Sequence, residues 1–431
     1  MKIAFYTLGC KVNQYESQAM SEAMAKKGFE IVSADEKADV YVINSCTVTA
    51  ESDRKTRQTV RRFKRSNPDS IIVLTGCMSQ AFPEEAEKLE QADIVMGNRS
   101  NHMLASLVER YLKERKRIIE VKPHETGDSF KGDVISGFDR RTRAIVKIED
   151  GCNRFCSYCI IPYARGRVRS KPLDELKEEL RALSKAGFSE VVLVGINLSA
   201  YGQDIGLSIC DAVELAAEMN FERIRLGSLE PDHITDEVIE RLSKVYKFCP
   251  QFHISLQSGC DSTLKAMNRH YTAEEYFELC TKLRDAFEDT TLTTDIMVGF
   301  PTESEEDFRT SVEFAKKVGF EKVHVFPYSP REGTRAAQMK QIPRQIREER
   351  SRIMIEETEK VRQNFLKAQV GKTVEVLFET HRADGFSEGY TKNYTPVRVK
   401  SDVSCTGILK VRITGTDGDF CVGVIDTEKI R

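Results

Sequence analysis

The chain has no tryptophan and only seven histidines in 431 residues. No apolar run approaches the length of a membrane span. The first ten residues lack a basic region, a long apolar core and a small-residue cleavage site, so no secretory signal is expected and the location expected is cytoplasmic. Charge of one sign is not in excess either: the net charge is −2, which excludes a nucleic-acid footprint spread over the whole surface. Between His124 and His233 there is no histidine at all, so a common nitrogen ligand for metals is missing from the middle of the chain. What is present is an ordinary globular composition, 40% hydrophobic and 31% charged, in a chain long enough for two or three domains. Twelve cysteines without a secretory context point to metal or redox chemistry rather than disulfides.

Three of those cysteines lie in one loop, Glu149-Asp-Gly-Cys152-Asn-Arg-Phe-Cys156-Ser-Tyr-Cys159, directly after the apolar segment Ala144 to Ile148. A closed zinc site needs four ligands, and no local fourth ligand is available. A cubane iron–sulfur cluster on three thiolates instead leaves one iron open. The C-x3-C-x2-C run, with Tyr158 in the position before the last cysteine, resembles the radical S-adenosylmethionine (SAM) enzymes. In that superfamily such a loop holds a [4Fe-4S] cluster whose open iron chelates SAM.

In the first domain, placed at 1–105, apolar runs end alike at Cys10, Cys46 and Cys77. A fourth, Asp93 to Gly97, ends without cysteine. Segments long enough for helices, Asn13 to Lys27 and Thr49 to Arg65, lie between them, which indicates a parallel α/β sheet. Strand carboxyl ends share one edge in such a sheet. Cys10, Cys46 and Cys77 should therefore converge into a second three-thiolate site. The strings Thr7-Leu-Gly-Cys10-Lys-Val-Asn-Gln-Tyr-Glu-Ser17, Asn44-Ser-Cys46-Thr-Val-Thr49 and Thr75-Gly-Cys77-Met78 resemble the N-terminal domain of the radical-SAM methylthiotransferases. There the matching cysteines hold an auxiliary [4Fe-4S] cluster. The Lys-Val-Asn-Gln form is most similar to the group that acts on threonylcarbamoyladenosine in tRNA.

A charged stretch, then one rich in Gly, Asp, Lys and Ser, makes 106–137 a linker. Beyond it, from 138 to 367, five further strands alternate with helices: Glu190 to Val194, Arg223 to Leu226, Phe252 to Leu256, Leu292 to Val298 and Lys322 to Phe326. With the strand before Cys152 these make six βα units, a partial (βα)6 barrel of the kind the resemblance implies. Strand ends at the carboxyl mouth carry the chemistry in barrels. Tyr158, Asn197, Glu230 and Gln257 are the candidate SAM contacts, and Asp295, inside an apolar strand, is the candidate catalytic carboxylate. His253 and His324 could face the same mouth. Cys210, Cys249, Cys260, Cys280, Cys405 and Cys421 have no spacing pattern and read as packing residues.

From 368 to 431 the period shortens to alternating strands broken by Gly and Asp turns, a small antiparallel, OB-like β-barrel. It resembles the TRAM domain, an RNA-binding module. Nine basic and nine acidic residues follow from Gly371 onward, so charge alone does not show RNA binding. Lys392, Arg398, Lys400, Lys410 and Arg412 cluster on the central strands, with Tyr390 and Tyr394 placed to stack on bases. Arg54 to Arg65 forms a further basic run, in which Arg61, Arg62, Lys64 and Arg65 are the candidate phosphate contacts, and Arg140 to Arg143 and Arg165 to Arg169 form two more.

The resemblance spans nearly the whole chain in domain order. It implies two [4Fe-4S] clusters, SAM used twice per turnover, a flavodoxin- or ferredoxin-like electron donor, a sulfur donor it does not identify, and a tRNA anticodon loop as substrate. The implied reaction is conversion of threonylcarbamoyladenosine-37 to its 2-methylthio derivative. An aromatic C2–H is too weak an acid for a side-chain base, so cofactor radical chemistry is required. The alternatives are the same chemistry on isopentenyladenosine or on a ribosomal-protein side chain, and a non-catalytic iron–sulfur RNA-binding protein.

Overall fold

The computed structural model describes residues 1–125, 127–130, 132, 135–137 and 142–426. Arg140 and Arg141 of one basic cluster, and the expected start of the central domain at 138, lie outside the described residues. So do residues 427–431.

The N-terminal domain is a six-stranded parallel sheet in the order β2-β1-β3-β4-β5-β6. The strands are β1 (Lys2–Thr7), β2 (Glu30–Val32), β3 (Val40–Ser45), β4 (Ile71–Gly76), β5 (Ile94–Met96) and β6 (Ile118–Glu120). β3 and β4 are buried along their whole length. That is why they read as unbroken apolar runs: helices cover both faces of the sheet. Helix α1 (Lys11–Lys26) follows β1, α2 (Ala50–Ser66) follows β3, and α3 (Cys77–Ala81) follows β4. Thr49 caps α2, its hydroxyl accepting the Ser52 amide at 3.2 Å. β6 corrects the expected boundary. It falls in the stretch read as a linker, yet it pairs with β5 in register Ile94 with Ile118. Three residues of strand within a polar stretch leave too weak a pattern to read.

The six expected βα units are all present. β7 (Arg143–Lys147) is followed by the short antiparallel pair β8 (Glu149–Asp150) and β9 (Arg169–Ser170). Then come β10 (Glu190–Val194), β11 (Arg223–Leu226), β12 (Ser228–Leu229), β13 (Gln251–Ile254), β14 (Thr291–Val298) and β15 (Lys322–Pro327). Two parallel sheets, β11-β10-β7 and β12-β13-β14-β15, are joined where Gly227 separates β11 from β12. They form an open barrel around one continuous apolar core. The helix Arg344–Lys367 packs on β15 and leads into the C-terminal domain.

The last domain is a closed barrel, β16-β17-β18-β20-β19. Its strands are β16 (Thr373–His381), β17 (Phe386–Thr391), β18 (Pro396–Lys400), β19 (Gly407–Asp417) and β20 (Phe420–Ile425). β17 is an addition to the expected strands; its sequence, Phe-Ser-Glu-Gly-Tyr-Thr, lacks an apolar run because only its inward positions are buried. No helix among the described residues is long and apolar enough to cross a membrane.

Candidate metal centre

The sheet order makes β1, β3 and β4 direct neighbours, so the residues after their carboxyl ends are brought together. Cys10 is the N-cap of α1, Cys46 follows β3 and Cys77 opens α3. The three thiols lie within electrostatic range of one another, and burial raises the Cys77 thiol to about 12. Two glycines permit this approach. A methyl at Gly9 (φ +112°) would stand 2.9 Å from Cys46 Cβ, and one at Gly76 (φ +98°) would stand 2.4 Å from the Ser45 carbonyl. Asn13 ties the ends together, its amide donating to Asn44 Oδ1 at 3.0 Å and the Ser45 carbonyl at 3.2 Å.

The second trio sits on the loop after β8. Gly151 (φ +92°) is packed so closely that a methyl there would be 1.9 Å from the Arg167 carbonyl. The loop is pinned through its backbone: Cys152 N donates to Gly166 O at 3.0 Å, Ser157 N to Met267 O at 2.9 Å, and Ala336 N to Ser157 O at 2.8 Å. Cys152, Cys156 and Cys159 are within electrostatic range of each other. Burial raises the Cys152 thiol to about 12 and pushes Cys159 up as well. Arg269 Nη1 donates to Cys156 Sγ at 3.3 Å. The same guanidinium holds the Glu230 carboxylate, with one contact at 3.3 Å.

A buried charge network joins the two trios. Arg165, six residues past Cys159, is fully buried and its Nε donates to Cys77 Sγ at 3.2 Å. Both its Nη atoms bind Glu16 on α1, Nη2 at 3.0 Å. Lys147 Nζ bridges Glu16 at 2.9 Å and Asp150 at 2.7 Å, and Arg169 lies 3.4 Å from Asp150. A second junction lies beside Cys46: Arg331 Nη2 reaches Thr47 Oγ1 at 2.7 Å and Asp53 at 2.5 Å. Ions this deeply buried persist only when paired, so these pairs fix how the N-terminal domain sits on the barrel.

Among the described residues no three His, Cys, Asp or Glu side chains are gathered closely enough for one metal ion. In donor chemistry, three thiols with no other ligand beside them suit an iron–sulfur cluster rather than a closed single-metal site. Each trio also has a cationic donor aimed at a sulfur, which suits thiolate ligands. Beside the second trio, two buried acceptors have no hydrogen-bond partner, Glu149 Oε1 and Asn197 Oδ1. The other Glu149 oxygen accepts the Asn197 amide at 2.7 Å. Such acceptors fit a ligand that brings amine and hydroxyl donors, as SAM does.

The candidate contacts fare unequally. Tyr158 packs beside Met267, Phe300 and Tyr328. Gln257 has left-handed backbone (φ +67°), and its amide donates to the Asp295 carbonyl at 2.8 Å. Glu230 is held by Arg269. Asp295 is only half-buried, because its strand faces a cavity there, and it meets His253 at 3.4 Å. His253 and His324 both line that cavity.

Four expected RNA contacts prove to be engaged elsewhere. Lys64 binds Asp93 at 3.0 Å and the Ser70 carbonyl at 2.8 Å. Lys392 binds the Tyr246 carbonyl at 2.5 Å. Arg398 pairs with Asp417 and lies over the Phe386 ring. Tyr394 stacks on Tyr390 at 4.3 Å, not on solvent. Arg143 and Arg225 of the barrel cover the pair, 5.0 and 4.7 Å from the Tyr394 ring. Arg62 lies over Tyr6 and Phe63, while Arg61, Arg65, Lys400, Lys410 and Arg412 are exposed.

Sequence reasoning missed Glu16, Glu149, Arg165 and Arg269. Glu149 and Arg165 flank the cysteine loop, which was a usable signal. Glu16 lies inside the Thr7 to Ser17 string but in an ordinary helical segment that did not single it out, and Arg269 stands in a turn that gave no signal.

Comparison with known proteins places residues 2–97 in the family described as Uncharacterized protein family UPF0004 and residues 146–315 in the Radical SAM superfamily. The Threonylcarbamoyladenosine tRNA methylthiotransferase MtaB of Aquifex aeolicus is 39% identical, over 92% of this chain and 96% of its own. Its Bacillus subtilis namesake is 37% identical over 95% and 93%. The tRNA-2-methylthio-N(6)-dimethylallyladenosine synthase of Oceanobacillus iheyensis is 34% identical over 96% and 82%. Among solved structures, the radical S-adenosylmethionine methyltransferase TsrM of Kitasatospora setae superposes with a TM-score of 0.55 at 15% identity, over 76% of both chains, a likeness of fold.

Proposed function

The chain belongs to the radical-SAM methylthiotransferases, and on that basis we propose that it converts N6-threonylcarbamoyladenosine at position 37 of tRNA to the 2-methylthio derivative. The observation that carries this reading is the pair of three-cysteine sites, with Arg165, on the segment that follows the second trio, donating to Cys77 of the first. Cys152, Cys156 and Cys159 would hold one [4Fe-4S] cluster and Cys10, Cys46 and Cys77 another. When bound, the first supplies the electron that cleaves SAM, the second presents the sulfur, and a further SAM gives the methyl group. The protein's part is to hold the two sites in fixed relation. Arg165, Glu16, Lys147 and Asp150 do so on one side, Arg331 and Asp53 on the other. Glu149 and Asn197 offer acceptors to SAM. Asp295, beside His253, is the carboxylate proposed to meet the substrate.

Exposed Arg61 and Arg65, with Lys400, Lys410 and Arg412, are the proposed phosphate contacts, and an anticodon loop lets the target base leave its stack. A flavodoxin or ferredoxin is the proposed electron donor. Relatives named for threonylcarbamoyladenosine are 33 to 39% identical at near full length, against 33 to 34% for those named for dimethylallyladenosine, and this supports the first nucleoside as substrate. Mass spectrometry of tRNA nucleosides from cells with and without the protein tests the reading. Loss of the methylthio group from threonylcarbamoyladenosine alone is expected. Loss from the dimethylallyl nucleoside would keep the chemistry and change the substrate, and no change in any nucleoside would overturn the proposal.

A further inference from the structure

A cavity of about 580 Å³ opens where the three domains meet. Lys11 of the N-terminal domain, Arg225 and Asp295 of the barrel, and Tyr394 of the C-terminal domain all line it. Lys11 follows Cys10 directly in the chain. Besides the exposed Lys322, two cationic donors on its wall are unpaired among the described residues. The Lys11 ammonium makes no ion pair or hydrogen bond there. Arg225 is 2% exposed, yet its Nη1 has no partner. The rest of that guanidinium is fixed: Nε and Nη2 bind Glu190 at 2.8 and 3.2 Å, and Nη2 also binds the Lys392 carbonyl at 3.1 Å. Glu190 is itself shared with Arg143 at 3.7 Å, and Arg143 also donates to Glu379 at 2.8 Å, so Lys11, Arg143 and Arg225 face two carboxylates.

The acids on the wall are already engaged. Asp295 faces His253 at 3.4 Å, Asp419 takes Arg362 at 3.1 Å, and Glu321 accepts the Leu292 amide. A buried guanidinium N–H without an acceptor is costly, and a lysine within electrostatic range of two arginines is crowded by like charge. Both conditions are relieved by an anionic oxygen group between them.

We propose that Lys11 Nζ and Arg225 Nη1 form the recognition site for the threonyl carboxylate of the target nucleoside. This rests on the function proposed above and adds the residues that select its substrate. C2 and N6 flank N1 on one edge of adenine, so the N6 substituent travels beside the carbon being modified. A carboxylate-bearing substituent satisfies both donors. A dimethylallyl group cannot, and leaves them dry, which is the strongest basis a pocket has for rejecting an analogue. Arg225 is held in place by Glu190 and Tyr394, so little ordering is needed on binding.

A backbone phosphate could offer the same chemistry, and the experiment separates the two. Anticodon stem-loops carrying adenosine, threonylcarbamoyladenosine or dimethylallyladenosine at position 37 are titrated by fluorescence anisotropy against the reconstituted holoenzyme. Wild type, Lys11→Met and Lys11→Arg are compared. Wild type is expected to prefer the threonylcarbamoyl loop. Lys11→Met should lose that preference by about tenfold or more while binding the adenosine loop as before, and Lys11→Arg should restore most of it. In turnover, Lys11→Met should raise KM and leave kcat little changed. Equal weakening on all three loops would assign Lys11 to phosphate and overturn the proposal, as would unchanged preference in Lys11→Met. If wild type modifies only the dimethylallyl loop, the substrate reading itself fails, whatever Lys11 does.

Discussion

Arg165 Nε donates to Cys77 Sγ at 3.2 Å across the boundary between the first two domains. The arginine belongs to the segment that carries one cysteine trio and the sulfur belongs to the other. Removing the guanidinium leaves Glu16 buried and only partly compensated by Lys147. Arg165→Leu is therefore expected to cost about 3 to 5 kcal/mol, read as a lowered urea midpoint. Arg165→Lys should recover part of it. An unchanged midpoint would mean that the network does not hold the domains together.

If each trio holds its own cluster, Cys77→Ala and Cys156→Ala should each roughly halve the iron bound per chain. Only Cys156→Ala should abolish SAM cleavage by the reduced protein. Loss of all iron in either variant would show that the two sites do not load independently.

Gly151 permits the turn that opens the cysteine loop. Gly151→Ala combines a left-handed backbone with a methyl 1.9 Å from the Arg167 carbonyl, and a cost of about 3 kcal/mol or more is expected. Iron should fall as in Cys156→Ala while the first trio stays loaded. Full iron content in Gly151→Ala would show that the loop accommodates the methyl.

Burial holds the Glu321 carboxyl at about 7, above its ordinary 4.5. A carboxyl raised by folding binds its proton more tightly in the native state, so its contribution is complete below about pH 4.5 and is lost as pH climbs through 7. The loss is on the order of 3 kcal/mol. His124, His233 and His324 are held below their ordinary range by burial and act in the opposite direction. The difference between wild type and Glu321→Gln isolates the carboxyl: relative to the variant, wild type should lose stability from pH 4.5 to 8. A difference that is flat or rises over that range would contradict it.

Lys64 and its neighbours on α2 should separate by experiment. Arg61→Ala with Arg65→Ala should weaken tRNA binding and flatten its dependence on salt. Lys64→Ala should leave binding nearly intact and cost about 1 kcal/mol of stability through Asp93 and the Ser70 carbonyl. Filter binding at two salt concentrations distinguishes them, and a full loss of affinity in Lys64→Ala would reverse the assignment.

The sequence by itself determined the two cysteine sites and the order of the three folds. The loop trio is local, and spacing alone brings its thiols together. Cys10, Cys46 and Cys77 are far apart in the chain, but parallel strands that end alike must share an edge, and unbroken apolar runs reveal such strands. Short elements with mixed composition, β6 and β17, were illegible because the pattern of a strand needs length to stand out. Only the tertiary structure decided which charges meet. Glu16 with Arg165, Asp53 with Arg331, and Tyr394 beneath Arg143 and Arg225 are all contacts between domains. A side chain's charge is written in the sequence, but its partner is chosen by how whole domains dock. For the same reason Tyr394 and Lys392, which read as RNA contacts, are held at an internal junction, while Lys11 and Arg225 face a cavity that no single segment builds.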